Sequence, residues 1–190
     1  MDSGGTDSYF FGTIIINCQD NDTKLSLIDG QQRTTTFILL CKALLLRIIQ
    51  AIKETKKDEE SEDLTYGLMK RRDRIIQILY KVSDSQILSV LKDLNSAPIG
   101  QVLENNSINE LYKNELQTII ESPDFDLAEQ RVEKIKYKQK DNKYTNFFKN
   151  FKFFHTKLEE LSPSEANVFS EYILDKSRLL KYEVGMLNRL

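Results

Sequence analysis

The sequence predicts an α+β protein, mostly α, in which a small sheet of about three strands precedes a multi-helix region. Three observations carry that expectation. The first 29 residues hold two short β-rich runs, the next 150 are dominated by apolar residues at three-and-four spacing, and 7 glycines and 3 prolines in 190 residues leave little material for tight turns. A hydrophobic fraction of 40% against 29% charged is an ordinary globular balance and argues against wholesale disorder.

Residues 9–18 read YFFGTIIINC, an aromatic and β-branched run suited to a buried strand. Residues 19–23, QDNDT, are turn chemistry. Residues 24–29, KLSLID, alternate polar and apolar and predict a second strand antiparallel to the first. After Gly30 a strongly apolar helix is expected over about residues 34–53, and the charged run 53–63 is its solvated end and a surface loop.

The following helix is expected over 64–82, with Leu68, Ile75, Ile76, Leu79 and Val82 on one face and the basic cluster Lys70, Arg71, Arg72 and Arg74 solvated beside the acidic run. Ser83-Asp84 or Ser85 is placed to cap a helix through residue 94, and Pro98-Ile99-Gly100 breaks the pattern. Further helices are expected over 107–120, 126–138, 142–161 and 164–175. In the last of these, Ser162 is the expected N-cap, with Pro163 at the first position and Glu165 at the third.

A final strand is expected over 180–186, within a closing segment 179–187. The chain thus reads as one domain over 1–190: a hairpin and motif helix (9–56), a helical region (64–176) and a last strand. Because it opens and stops beside strands, it reads as a fragment of a longer protein.

Composition excludes several functions. Cys18 and Cys41 sit in separate apolar segments without ligand spacing, so buried free thiols are expected. His155 is the only histidine, which disfavours a histidine metal site or a Ser-His-Asp triad. No signal-peptide pattern opens the chain, and the apolar stretch 37–51 is interrupted by Lys42, Arg47 and Gln50, too short and broken to span a bilayer. No membrane partner and a cytoplasmic location are expected. The net charge of −2 neither predicts nor excludes a nucleic acid. Lysines mix with aromatics over 134–155, but Tyr144, Phe147, Phe148, Phe151 and Phe154 form one helical stripe facing the core, with Lys149, Lys152 and Lys157 elsewhere.

Chemistry concentrates in Asp29-Gly30-Gln31-Gln32-Arg33-Thr34-Thr35. A strand delivers Asp29, Gly30 permits a positive φ and close approach to the main chain, and a helix start supplies unpaired amides and positive dipole, a natural anion seat. Arg33 adds a charged planar fork for phosphate, and Thr34 and Thr35 add hydroxyls. Gln31 and Gln32 can hold a ribose, a base edge or an attacking water, and Asp29 can bind a metal through phosphate, polarise water, or only hold Arg33 in place. From the residues alone, the phosphate site and a purely structural turn are about equally supported.

The strings YFFGTIII and LSLIDGQQRTTTFILLCKAL resemble the signature of the GmrS-like domain of GmrSD-type modification-dependent restriction enzymes, in which a Y-F-x-G-[ST]-[IV] strand precedes [IV]-D-G-Q-Q-R-x-T-[TS]. Tyr9, Phe10, Gly12, Thr13, Ile14 and then Ile28 to Thr36 carry the match. The resemblance implies a ParB/sulfiredoxin-like sheet, a nucleoside triphosphate with Mg²⁺, and a nucleotide-binding or hydrolysing regulatory domain of a DNA restriction endonuclease in phage defence. Its implied catalytic residues are Asp29, Gln31 and Gln32, and its implied phosphate-binding residues are Gly30, Arg33, Thr34 and Thr35. DNA, engaged through the full-length protein, and a nuclease domain or subunit outside this chain are the implied partners. The family's I-P-x-Y-Q-R and F-E-x-x-N-x-R-G elements do not occur here, so this piece is expected to be incomplete for catalysis. The alternative is a non-catalytic DNA-binding or helical interaction module whose DGQQR turn is structural.

Overall fold

The computed structural model describes residues 8–17, 25–55, 61–93, 100–103, 110–135 and 146–184. A small mixed sheet stands against one end of a helical body, and the longest helix joins the two. Strand β1 (Tyr9–Asn17) occupies the middle of the sheet, in the order β2-β1-β3. Strand β2 (Ser26–Asp29) runs antiparallel to it, with Ile16 opposite Leu27, as the hairpin pattern predicts. Strand β3 (Ser177–Val184) runs parallel to β1, with Tyr9 opposite Ser177 and Asn17 opposite Val184. The expected strand at 180–186 therefore starts earlier, and the turn 19–23 and Cys18 lie outside the described residues.

Helix α1 (Gln31–Thr55) begins directly after Gly30, three residues before the expected start at Thr34. Its length corrects the expectation that this apolar stretch is too short to cross a membrane: with 25 residues and an 18-residue window of mean hydropathy 1.8 it is long and apolar enough. Burial of 67% of that window instead makes it the core helix of the fold. Leu39, Cys41, Ala43, Leu44, Leu45 and Ile48 are fully buried, because α1 is flanked by α2 (Glu62–Leu79), α6 (Asn146–Glu159) and α7 (Pro163–Glu171).

The two cations that interrupt its apolar run are buried too, each with partners far away in sequence. Lys42 Nζ donates to the Ser122 carbonyl at 2.7 Å and to Tyr80 Oη at 3.1 Å. Arg47 donates from Nε (2.9 Å) and Nη2 (2.6 Å) to the Leu161 carbonyl just past α6, and pairs with Glu54 at 3.0 Å.

Helix α2 stops at Leu79, short of the expected Val82. Tyr80 turns extended, and its fully buried hydroxyl donates to the Ile120 carbonyl at 2.5 Å. A bridge between Tyr80 and Gln101 then fixes the following segment. Ser83 opens a 3₁₀ turn (Asp84–Gln86) leading into α3 (Ile87–Asp93), with the Gln86 side chain accepting from the Ser83 amide.

The expected helices at 107–120 and 126–138 appear as α4 (Glu110–Glu121) and α5 (Phe125–Glu133), the second capped by Asp124 through the Leu127 amide. Ser162, Pro163 and Glu165 form the predicted capping box of α7, which then loosens into a π-helical turn (Tyr172–Lys176) before β3. Phe151 on α6 is fully buried and Phe147, Phe148 and Phe154 pack against the core, as the stripe predicts, whereas Tyr144 lies outside the described residues.

The basic cluster departs from expectation. Arg71 pairs with Glu171 at 2.8 Å and Asp175 at 3.6 Å, and Arg74 also pairs with Asp175, so two of its arginines clamp α2 to α7 and the π-helical turn. They are not simply solvated beside the acidic run.

Candidate functional site

The DGQQR segment lines a cleft of about 330 Å³ formed by Ile28, Asp29, Gly30, Gln31, Gln32 and Arg33. That volume lies at the lower end of ordinary ligand sites. Its shape follows from Gly30, which adopts φ +88°, a left-handed conformation that residues with a Cβ rarely take. A Cβ at Gly30 would sit 2.6 Å from Ile14 Cγ2 and 3.2 Å from the Thr13 carbonyl oxygen, so the turn presses directly on β1.

The same residue begins the helix. The Thr34 amide (2.9 Å) and hydroxyl (3.0 Å) both donate to the Gly30 carbonyl. The amides of Gln31, Gln32 and Arg33 therefore precede the first helical donor, Thr34, and lie in the turn that lines the cleft. These unpaired donors and the dipole of a 25-residue helix place partial positive charge there.

Arg33 is exposed, and its Nη1 donates to the Thr13 carbonyl of β1. The sequence left open a pairing of Arg33 with Asp29; the structure gives the guanidinium a backbone carbonyl instead. Asp29 is exposed, and no hydrogen bond or ion pair engages its carboxylate among the described residues. Gln31 folds back, its Nε2 3.3 Å from the Leu27 carbonyl, and Gln32 is exposed.

Asp29, Gly30, Gln31, Gln32 and Arg33 are thus brought to one cleft. Thr34 spends its hydroxyl on Gly30, and the Thr35 side chain is 7% exposed. Among the described residues no group of three His, Cys, Asp or Glu side chains could hold a metal. Among the described residues Asp29 is the one carboxylate in the cleft lining, which suits Mg²⁺ carried mostly by ligand phosphate and water rather than a protein cage.

Three residues outside the DGQQR segment also matter. Gly12 and Thr13 on β1 form the floor on which Arg33 rests, and a glycine inside a β-branched strand is the available signal. Lys42 is completely buried one helical stretch away, with desolvation pushing its pKa down to about 7 against a smaller upward pull from Asp124. Its signal is a charged residue inside an apolar run.

The model of the GmrSD restriction endonuclease N-terminal domain family matches residues 4–187. The chain belongs to that family. No match is found among curated proteins or among solved structures. The GmrSD N-terminal match takes in the whole sheet, the cleft and every described helix, so the candidate site is part of the domain and not an appendage to it.

Proposed function

We propose that this GmrSD-type N-terminal domain binds a nucleoside triphosphate with Mg²⁺ at the DGQQR cleft, and that binding or hydrolysis regulates DNA restriction by the full cytoplasmic protein. The observation that carries the reading is the exposed Arg33 guanidinium, held on the Thr13 carbonyl beside three helix-start amides and an uncommitted Asp29 carboxylate.

In this reading the amides of Gln31 to Arg33 and the Arg33 fork take phosphate oxygens, as helix starts and guanidinium groups do. The Gly30 backbone admits the phosphate closely because no side chain intervenes. Asp29 contributes an oxygen toward the metal, and Gln32, with Gln31 once it leaves Leu27, orients a water or the ribose. Bound Mg²⁺ would neutralise charge developing on the phosphate oxygens. Kinship with ParB and sulfiredoxin belongs to the same proposal and rests on the strand-glycine-helix junction. DNA and a nuclease domain or subunit would meet this domain in the complete protein.

The test is nucleotide binding by calorimetry on this chain and turnover on the full protein, for the parent and for Arg33→Ala and Asp29→Ala. Loss of binding in Arg33→Ala and loss of Mg²⁺ dependence in Asp29→Ala are expected; unchanged behaviour in both rejects the reading. Salt-dependent DNA affinity that needs Arg33 but ignores nucleotide would assign the seat to DNA phosphate without turnover. Indifference of both ligands to the motif, with a loss of thermal stability in Arg33→Ala, would leave the turn structural.

A further inference from the structure

Gly12 interrupts β1 where the strand passes beneath Arg33. Its φ is +110°, far from the extended values of the rest of the strand, and Phe11 bulges out of register between the Phe10–Arg178 and Gly12–Leu179 pairs. The Phe11 ring packs edge-on against Phe37 of α1 at 5.4 Å, which fixes the bulge against the helix that carries the motif.

A Cβ built on Gly12 would lie 3.3 Å from Arg33 Cδ and 3.4 Å from both Nε and Nη1. The arginine side chain therefore lies tightly against the space a Cβ at position 12 would fill, and would have to give way by a few tenths of an ångström. Nη1 reaches the carbonyl of the very next residue, Thr13. One strand residue supplies the hollow and its neighbour the anchor, while the remaining N–H groups of the guanidinium have no partner among the described residues.

We propose that Gly12 is a positioning residue for Arg33: the missing side chain at the β1 bulge lets the guanidinium lie against the strand, tied to Thr13, with its other donors kept for the anion at the α1 start. The ligand half of this proposal rests on the nucleotide reading above; the placement half does not. A side chain at position 12 lifts the guanidinium from Thr13, so both the reactivity of Arg33 and its grip on phosphate change together.

The experiment compares the 190-residue parent, Gly12→Ala, Arg33→Ala and the double variant. Three quantities are measured: the rate of phenylglyoxal modification at Arg33 by peptide mass spectrometry, stability to denaturant, and affinity for Mg-ATP. Gly12→Ala is expected to speed modification of Arg33 at least about threefold, because the guanidinium loses its carbonyl tether. Its stability penalty should shrink clearly in the Arg33→Ala background, because the collision partner is gone, whereas a penalty from φ alone would be the same in both backgrounds.

Mg-ATP affinity should fall about tenfold in Gly12→Ala, as expected for a misplaced charge-assisted contact, with the double variant no weaker than Arg33→Ala. An unchanged modification rate together with additive stabilities overturns the proposal. A faster rate and non-additive stabilities, with Mg-ATP binding indifferent to Arg33, support the placement of Arg33 by Gly12 and reject the nucleotide reading instead. If Gly12→Ala alone does not fold, recovery of folding in the double variant supports the proposal, and failure of both assigns the damage to backbone conformation and overturns it.

Discussion

Replacing Lys42 with methionine should abolish a specific pH dependence of stability. Lys42 is completely buried among α1, Tyr80 and the end of α4, and desolvation lowers its pKa from 10.5 to about 7. Between those two values the unfolded chain binds a proton that the folded chain does not, so stability rises with pH across this window. Below pH 7 both states are protonated, and the buried charge carries its full penalty of about 5 kcal/mol, the free-energy equivalent of the shift.

Integrating the two titrations from pH 7 to pH 9 gives a gain of about 2 kcal/mol. Lys42 dominates that window over the other groups the fold shifts. His155 is lowered below 6.5 by desolvation, against opposing carboxylates at Glu159 and Asp126, and so acts at lower pH. Burial raises Cys41 from 9.0 to about 12 and raises Tyr80 above 10.0, so both oppose the trend: the thiol already by about 0.4 kcal/mol at pH 9, where half of it is ionised in the unfolded chain, and Tyr80 only at higher pH. Urea unfolding of the parent and Lys42→Met at pH 7 and pH 9, followed by far-ultraviolet circular dichroism, measures the difference directly. The parent should gain about 2 kcal/mol relative to the variant, since the Cys41 contribution is common to both and cancels in the comparison. Parallel changes in the two proteins would refute the burial of a neutralised amine.

Two further outcomes follow from local geometry. Gly30→Ala should lower stability by about 3 kcal/mol in the same unfolding assay, since a strained left-handed residue and a Cβ 2.6 Å from Ile14 Cγ2 act together. Ser162→Ala should cost about 1 kcal/mol by thermal or urea unfolding, because the Ser162 hydroxyl accepts from the Glu165 amide at the start of α7. The reciprocal half of that box is pH-sensitive: hydrogen bonds from Ser162 hold the Glu165 carboxyl below its usual range, so its contribution is present at neutral pH and lost as the solution is acidified through that lowered value.

The parts of the fold legible in the sequence are those whose signals are local. YFFGTIII declares β1, the Asp29-Gly30 junction declares the turn, and Ser162-Pro163-x-Glu165 declares the start of α7 within a residue. The start of α1 was displaced because threonine is a familiar cap. Here Gly30 supplies the first acceptor carbonyl and Thr34 turns its hydroxyl back onto it, so Gln31 to Arg33 form the first turn. Non-local partners were invisible. Lys42 and Arg47 read as interruptions of an apolar stretch, since the groups that satisfy them lie at residues 80, 122 and 161. Arg71 and Arg74 read as solvated because their carboxylates, Glu171 and Asp175, arrive from 100 and 101 residues downstream.

In the candidate site the same division holds. The motif names the residues on one strand-turn-helix segment, but the guanidinium is placed by the neighbouring strand, and no spacing within DGQQR could specify that. The parallel return of β3 completes this arrangement from the far end of the chain. It pairs Gly12 with Leu179 and Thr13 with Leu180, and so backs the strand segment on which the Arg33 guanidinium rests. The helical body ends in the π-helical turn that feeds β3, and Asp175 within that turn is gripped by Arg71 and Arg74 of α2. The packing of the helices therefore reaches the cleft through β3 and β1 as well as along α1.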